Sequence, residues 1–482
     1  MIFQSIEFVI FLPIVFGLYW FAFGKNLKAQ NAFLVLASYV FYGWCDWKLL
    51  LLLAGISLSS YLCGLFIDRN RGNRKAAKAI SAVNIIIGVG TLFLFKYYNF
   101  FAEELSRLLF GVGDKLVIKL ILPAGLSFYV LRSLSYSIDV YLGKIEAEKD
   151  AIKVFAYISF FPQLMCGPII RPGELILQLS SRRTFKYDQG ADGMRQILWG
   201  LFKKIVIADN CALYVNPIFA DTGSYYSSTL VLAAVLYTIQ IYVDFSGYSD
   251  MAIGIGKLFG FTTSRNFNLP YFSRNIAEFW RRWHISLTSW FRDYVYIPLG
   301  GSRVPMWRVI LNTFVIFLLS GLWHGANWTF LAWGGYHALL FVPLIITGAN
   351  RRYKNDNIVA AGRKLPSVRE FFEMLLTFVL AMLGWIMFRA DSIGDAVTYI
   401  QSMFTSTLFT IPYFRAKAFI IPLVLSIICM LIAEWRTRES GEHTLYGLYR
   451  IPAVKRHIIY LMIILVIISL WGKNETFIYA QF

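Results

Sequence analysis

Two apolar runs, Trp307–Leu322 (WRVILNTFVIFLLSGL) and Asn327–Gly348 (NWTFLAWGGYHALLFVPLIITG), are separated only by Trp323-His324-Gly325-Ala326. An α-helix needs about 17–25 predominantly apolar residues to cross the hydrocarbon layer of a bilayer. The pair therefore reads as two membrane helices joined by a short turn. Runs of this kind recur along the 482 residues, of which 57% are hydrophobic and 15% charged, with a mean hydropathy of +0.57. Soluble domains are nearer half apolar and a quarter charged, and a β-barrel would alternate in segments of about ten residues. The sequence specifies an all-α, polytopic membrane protein.

About eleven to twelve spans are expected. They lie near 4–23, 29–44, 49–67, 79–98, 118–142, 191–214, 227–257, 307–322, 327–348, 370–390, 416–435 and 457–472. The first lacks a basic leader and an Ala-x-Ala cleavage pattern and carries Pro13 in its middle, so it reads as a retained span and not a signal peptide. The net charge of +18 might suggest nucleic acid, but its distribution argues otherwise. Lys and Arg concentrate in alternate loops: 25–28, 69–78, 144–153, 182–186, 265–308, 351–369 and 436–456. The loops near Asp46, Asn99–Glu104, Ala220–Ser227 and Asp391–Thr410 are far less basic. Cytoplasmic loops are the ones enriched in Lys and Arg, which puts the basic set inside and both termini outside.

Two segments break the simple pattern. Ile152–Ile170 is apolar yet lies between two basic loops, so it reads as a re-entrant hairpin turning at Pro162 or Gly167-Pro168 and lining a cavity. Asn266–Arg308 is too charged to span, and interleaves Phe279, Trp280, Trp283, Trp290, Phe291, Tyr294 and Tyr296 with arginines. That mixture fits an amphipathic helix at the cytoplasmic interface, in contact with lipid. Its arginines would also attract an anionic donor, since a guanidinium suits bidentate phosphate contacts. The whole chain reads as one transmembrane domain: N-terminal helices over 1–142, a catalytic core over 143–348, and C-terminal helices over 349–482.

Among residues able to carry chemistry, His324 stands out. The preceding run is short, which holds His324 at depth, and Gly321 and Gly325 permit close backbone approach or a helix break. A neutral imidazole there suits a general base acting on a hydroxyl; a buried structural histidine is the alternative. His337, inside the next span, reads as a hydrogen-bonded packing residue. His443 and His457 read as solvated or interfacial, and so, on its own, does His284. Asp244 and Asp250 are carboxylates near the end of an apolar span. Such acids are costly unless paired, and they suit pairing with an arginine of 281–303 or orienting a histidine. Cys45, Cys63, Cys166, Cys211 and Cys429 show no CxxC spacing, which argues against a metal site or redox pair. The absence of GxSxG, Walker, HExxH and strand-borne GxGxxG motifs leaves soluble-type hydrolases, ATPases and metalloproteases unsupported.

Several ordered motifs carry a resemblance. They are Phe161-Pro162-Gln163-Leu164 with Gly167-Pro168-Ile169 and Arg171, then Asp244-Phe245-Ser246-Gly247-Tyr248-Ser249-Asp250. Phe279-Trp280-Arg281-Arg282-Trp283-His284-Ile285-Ser286-Leu287 follows, continuing through Trp290-Phe291-Arg292-Asp293-Tyr294 to Pro298-Leu299-Gly300-Gly301. Trp323-His324-Gly325, Trp385-Ile386-Met387-Phe388-Arg389-Ala390 and Phe477-Ile478-Tyr479-Ala480-Gln481-Phe482 complete the set. Together they resemble the membrane-bound O-acyltransferases (MBOAT), in particular the bacterial alginate O-acetyltransferase (AlgI-like) type, over nearly the whole chain. Ala480 stands where an aromatic is commoner.

The resemblance implies a helical fold with a tunnel that brings donor and acceptor together across the membrane. It makes His324 the catalytic histidine and His284 a second functional one. Arg281, Arg282, Trp323, Asp244 and Asp293 become candidates for donor binding or support. The implied reaction moves an acetyl group from acetyl-CoA, or another cytoplasmic thioester, to an extracytoplasmic polysaccharide or to a partner protein that relays it. No bound cofactor or metal is implied, and membrane lipids are the surroundings. D-alanyl transfer from a carrier protein, or a transporter or flippase for a lipid-linked substrate, are the competing readings.

Overall fold

The computed structural model describes residues 1–482 except 45, 114–115, 119, 121, 355–356, 414–416, 443, 472–476 and 479–482. Every described element is helical. The apolar runs expected to span do form helices. Among the described residues, eight are long and apolar enough on their own to cross a membrane: Leu49–Arg69, Arg74–Phe110, Ser227–Leu258, Met306–His324, Trp328–Ile346, Val368–Arg389, Ile420–Thr437 and Ala453–Leu470. The remaining expected spans are shorter helices or broken ones: Ile6–Ala22, Leu27–Gly43, Leu126–Tyr141, and a helix interrupted by a π-turn between Tyr187 and Ala220. Many apolar side chains point outward, including Ile10, Leu51, Leu461 and Leu465. Such a surface suits hydrocarbon and not water.

The chain forms two compact units. One comprises Met1–Ile197 with Met251–Ser264, the other Leu198–Asp250 with Arg265–Phe482. In chain order the first carries α1 (Ile6–Gly17), α2 (Leu27–Gly43), α3 (Leu49–Arg69), α4 (Arg74–Leu92), α5 (Tyr98–Phe110) and α6 (Leu126–Tyr141). It continues with α7 (Ala151–Ser159), α8 (Phe161–Leu164), α9 (Pro172–Ser180) and most of α10 (Tyr187–Leu201). Small polar side chains join α3, α4 and α6. The Ser60 and Ser133 hydroxyls lie 2.5 Å apart, and the Asn84 amide donates to Ser137 Oγ at 2.8 Å. Hydrogen bonds of this kind hold helices together where no hydrophobic force acts between them.

The apolar segment Ile152–Ile170 is a broken helix, as its prolines and glycine suggest. The break falls at Phe160, just before Pro162, and nearly every residue from Val154 to Ile170 is buried. A buried helix end must still satisfy its carbonyls. Arg132 does this from α6, donating to the carbonyls of Gln163 at 3.2 Å and of Tyr157 and Leu164 at 3.5 Å.

The second unit begins with the π-turn Phe202–Ala208, followed by α11 (Asp209–Ala220) and α12 (Ser227–Leu258), whose last turns belong to the first unit. Then come α13 (Ile276–Arg282), α14 (Ile285–Phe291), α15 (Met306–His324), α16 (Trp328–Ile346), α17 (Val368–Arg389), α18 (Ile393–Ser402), α19 (Lys417–Thr437) and α20 (Ala453–Leu470). Two expectations are corrected here. The stretch 266–308 is not one interfacial helix: it breaks at Trp283-His284 into α13 and α14, and a π-turn follows at Arg292–Tyr296. Its rings face protein instead of lipid headgroups. Phe279, Trp280, Trp283, Trp290 and Phe291 are all buried, with Trp283 4.7 Å from Trp385 and Trp280 5.5 Å from Trp333 between ring centroids.

Asp244 and Asp250, expected to pair with an arginine of 281–303 or to orient a histidine, pair with lysines. Lys203 Nζ lies 2.9 Å from Asp250 and 3.4 Å from Glu434, which also accepts the Tyr242 hydroxyl at 2.9 Å. Lys204 Nζ lies 2.8 Å from both Asp209 and Asp244. Asp244 additionally accepts the backbone N–H of Ile478 at 2.8 Å. Removing one partner of a buried ion pair costs about 3–5 kcal/mol, because the other charge stays buried. Lys203→Met should therefore lower the melting temperature of the detergent-solubilised protein markedly, and Lys203→Met with Glu434→Met should recover part of the loss. Equal melting of the wild type and the single variant would refute the network's structural weight.

Candidate active site

The α15–α16 hairpin sets the geometry. Its helices approach so closely that a Cβ on Gly321 would run into the Phe330 carbonyl, and one on Gly325 into the Phe330 ring. The two glycines flanking His324 thus act as the sequence suggested, Gly321 by close approach and Gly325 at the helix end. Asn327 caps α16, accepting the Thr329 N–H at 3.0 Å, while its amide donates to the Asp391 carbonyl at 3.0 Å. His324 is the last residue of α15 and is 3% exposed. Its ring lies edge-on to Trp333 and Phe388, each 5.2 Å away.

A cavity of about 320 Å³ runs beside α15, lined from Val309 and Thr313 through Ser320 to His324. Those positions span about 22 Å of helix at 1.5 Å per residue. Because α16 runs antiparallel, its far end at Ile345, with Asn350 just beyond it, meets the beginning of α15 and also lines the cavity. Arg281 sits at this end, donating to the carbonyls of Asn350, at 2.9 Å, and Tyr353. Burial lowers the Arg281 pKa from its ordinary value. Arg292, Tyr296 and His284 are further lining residues, beside apolar walls formed by Leu287, Ile316 and Phe317.

His284 occupies the break between α13 and α14 with φ 42° and ψ 52°. The left-handed region is uncommon for any residue but glycine, although Asn, Asp and His tolerate it best. Strain of this kind persists only where surrounding structure enforces it, and it clusters at functional sites. Here the enforcing residue is Asn266, which is 1% exposed. Its carbonyl accepts the Ile285 N–H at 2.8 Å, and its Oδ1 accepts the Ser286 N–H at 3.3 Å and the Ser286 hydroxyl at 2.9 Å. A backbone N–H can only donate, so the Asn266 atom facing it is oxygen. The same oxygen lies 3.1 Å from His284 Nδ1, which must then carry the hydrogen. Nε2 is left as the proton-accepting nitrogen. Burial depresses the His284 pKa to about 3, so the ring is neutral at ordinary pH.

Trp323 stands between the imidazoles, 5.8 Å from His284 and 5.0 Å from His324 between centroids, at the side of the cavity and not in its lining. Arg282 is turned away, held by Glu278 at 2.8 Å and the Asn268 carbonyl at 3.3 Å. Asp293 meets Arg292, whose Nε donates to it at 2.8 Å. Asp244 is engaged by Lys204. His337 is buried, and its Nδ1 accepts the Trp280 indole N–H at 3.3 Å, steadying a ring that lines the cavity. His457 is exposed and bonded to the Ala453 carbonyl at 2.7 Å, while His443 lies outside the described residues. Cys63, Cys166 and Cys211 are buried and Cys429 is exposed; Cys45 is outside the described residues. The residue that sequence reasoning missed is Asn266. Only its place ahead of the aromatic stretch pointed to it, because its partners are 18–20 residues away.

Residues 148–362 match the model of MBOAT, the membrane-bound O-acyltransferase family. The chain is 38% identical to a probable alginate O-acetylase AlgI of Pseudomonas aeruginosa over 412 residues, covering 84% of this chain and 75% of that protein. It is 34% identical to a peptidoglycan O-acetyltransferase of Helicobacter pylori over 423 residues, 82% of this chain and 77% of that one. A teichoic acid D-alanyltransferase of Bacillus subtilis is 26% identical over 287 residues, 55% of this chain and 68% of that one.

Asn266 offers a direct test of the tautomer. Asn266→Asp places a carboxylate against Nδ1, which favours the protonated ring and raises its pKa. If neutral His284 is required, the acid limb of kcat/KM should move to higher pH in this variant, with activity near the wild-type level at alkaline pH. A pH profile superimposable on that of the wild type would refute the assignment.

Proposed function

The chain belongs to the membrane-bound O-acyltransferase family and is an O-acyltransferase, and on that premise we propose that it moves an acetyl group from a cytoplasmic thioester to a hydroxyl outside the membrane. The observation that carries this reading is the single cavity reaching from Arg281 to His324. The donor is acetyl-CoA, its phosphates drawn to Arg281 and Arg292 and its thioester arm lying along the apolar walls. The acceptor is a hydroxyl of an extracytoplasmic polysaccharide, or of a partner protein that relays the acetyl group. The protein works in the bacterial inner membrane and serves surface or exopolysaccharide acetylation.

In the proposed step the acceptor oxygen attacks the thioester carbonyl carbon while His324 takes the hydroxyl proton. The C–O bond forms, the C–S bond breaks, and the departing thiolate recovers the proton from the imidazolium. Such base catalysis contributes about 10²–10⁴-fold. His284 is a neutral acceptor with its hydrogen committed to Asn266, so it suits holding an N–H of the thioester arm or passing a proton, and not stabilising an oxyanion. Arg292, steadied by Asp293, belongs to donor binding. Arg282, Trp323 and Asp244 support the site indirectly, through Glu278, the two imidazoles and Lys204.

The acetyl reading is favoured over D-alanyl transfer because relatives named for acetylation match over four-fifths of the chain, at 34–38% identity, against 55% at 26% for the D-alanyltransferase. His324→Ala protein, present in the membrane at normal abundance, should lose about 10²–10⁴-fold of acetyl transfer. His284→Ala should lower turnover without loss of folded protein. Undiminished transfer by the His324 variant would sink the proposed base. Consumption of a D-alanyl carrier protein in place of acetyl-CoA would move the reaction to the other class.

A further inference from the structure

Adding a hydroxyl to a thioester carbonyl puts negative charge on the carbonyl oxygen, and in an apolar cavity that charge needs a hydrogen-bond donor aimed at it. Several donors on the cavity lining are already engaged. Thr288 and Thr313 give their hydroxyl hydrogens to the carbonyls of Trp283, at 3.2 Å, and Val309, at 2.8 Å. The Trp280 indole N–H is held by His337 at 3.3 Å, and the His284 Nδ1 hydrogen by Asn266 at 3.1 Å. Arg281 is bound to the Asn350 carbonyl, at the opposite end of the cavity from His324.

Ser320 differs. It lines the same cavity, is 8% exposed, and sits one turn before His324 on α15. Serine inside a helix commonly bonds the carbonyl four residues back, and Ser38, Ser57, Ser135 and Ser159 do so at 2.7–2.8 Å. Ser320 makes no such bond to the Ile316 carbonyl, nor any other side-chain hydrogen bond among the described residues. A buried hydroxyl left in this way costs stability, and alanine would fill the position without that cost, so packing does not account for it. Its placement does. Residues four apart on a helix have Cβ atoms about 5–6 Å apart, and side chains tilt toward the helix N-terminus. The His324 ring therefore leans back over the turn that carries Ser320. A thioester carbonyl seated between them meets the base through the incoming hydroxyl and the serine through its own oxygen.

We propose that Ser320 is a catalytic residue, donating a hydrogen bond to the oxyanion that forms when the acceptor oxygen adds to the acetyl thioester. As the C–O bond forms, the carbonyl π pair moves onto oxygen. It returns as the C–S bond breaks, and Ser320 keeps its proton throughout. No hydrogen bond joins Ser320 to His324, as an activated nucleophile would need. The proposal rests on the reading of His324 as the base and deepens it. The probe is acetyl-CoA, given to membranes that hold the protein with its native acceptor, and to purified full-length protein in lipid nanodiscs. The first reads transfer and the second slow thioester hydrolysis, in which water replaces the acceptor but the same oxyanion forms. Ser320→Ala should lower kcat for both reactions alike, by about 10²–10³-fold, the usual cost of one lost oxyanion donor. Its KM for acetyl-CoA, its melting temperature and the acid limb of its pH profile should stay near those of the wild type. Ser320→Cys, close in volume but a weak donor, should be slowed as well, with no acetyl group accumulating on the enzyme. Unchanged kcat in the alanine variant would overturn the proposal and leave the role to another lining donor such as the Trp283 indole. A change in KM alone would make Ser320 a donor-binding residue, and loss of transfer with hydrolysis intact would make it an acceptor-binding one; either result refutes the oxyanion role. So would acetyl-Ser320 trapped by rapid quenching of the wild type, the mark of a nucleophile. Acetyl-CoA left unconsumed by every wild-type preparation would refute the transfer reading instead, a result separate from these.

Discussion

Charge buried in a low-dielectric interior must be neutralised in place, since isolated ions there cost many kcal/mol. Lys203 and Lys204, adjacent on one π-turn, answer for four carboxylates drawn from three stretches of chain: Asp209, Asp244 with Asp250, and Glu434. Because the lysines are consecutive, their ammonium groups leave the helix in different directions. One is bound toward α19 and the other toward the middle of α12. Much of the second unit hangs from this knot. Asp244 is followed by Phe245, whose ring lies 4.7 Å from His284, so the ion pairs fix the floor beneath one of the two proposed functional histidines.

That histidine shows how a membrane protein can keep an imidazole neutral and directed through a side-chain amide. Asn266 offers one oxygen to two residues and thereby sets the backbone and the tautomer of His284 together. A carboxylate in its place would have favoured the charged ring. Desolvation does the opposite, and with an amide as partner it outweighs what hydrogen bonding returns. The cavity beside α15 is likewise arranged by polarity, with guanidinium groups where α15 begins, apolar walls along it, and a histidine where it ends.

Much of the fold was legible because lipid-exposed helices must be long and apolar, and little else in a sequence looks like Trp307–Leu322 or Leu49–Ile67. His324 was legible for a related reason: a lone imidazole between two such runs is costly, and the flanking glycines marked a close helix crossing. The stretch 266–308 was misread because alternating tryptophan and arginine is also the pattern of an interfacial helix. Whether those rings meet headgroups or Trp385 and Trp333 depends on helices more than fifty residues away. The lysine partners of Asp244 and Asp250 were hidden for the same reason. Asn266 could not be found from periodicity, since it acts from a loop, through its side chain, on residues 18–20 positions later.

The lysine knot also imposes an order on assembly. Lys203, Lys204, Asp209, Asp244 and Asp250 are within a single stretch of chain and can pair as soon as α12 is made. Glu434 and the backbone donor from Ile478 are far behind, the latter 234 residues beyond Asp244. During synthesis the early carboxylates and lysines can hold one another while the hairpin that bears His324 inserts. Only the late arrivals complete the contacts of Lys203 and supply Asp244 with its N–H. Chains cut short after α18 would carry the hairpin that bears His324 but an unfinished electrostatic core, a state that membrane proteases are well placed to recognise.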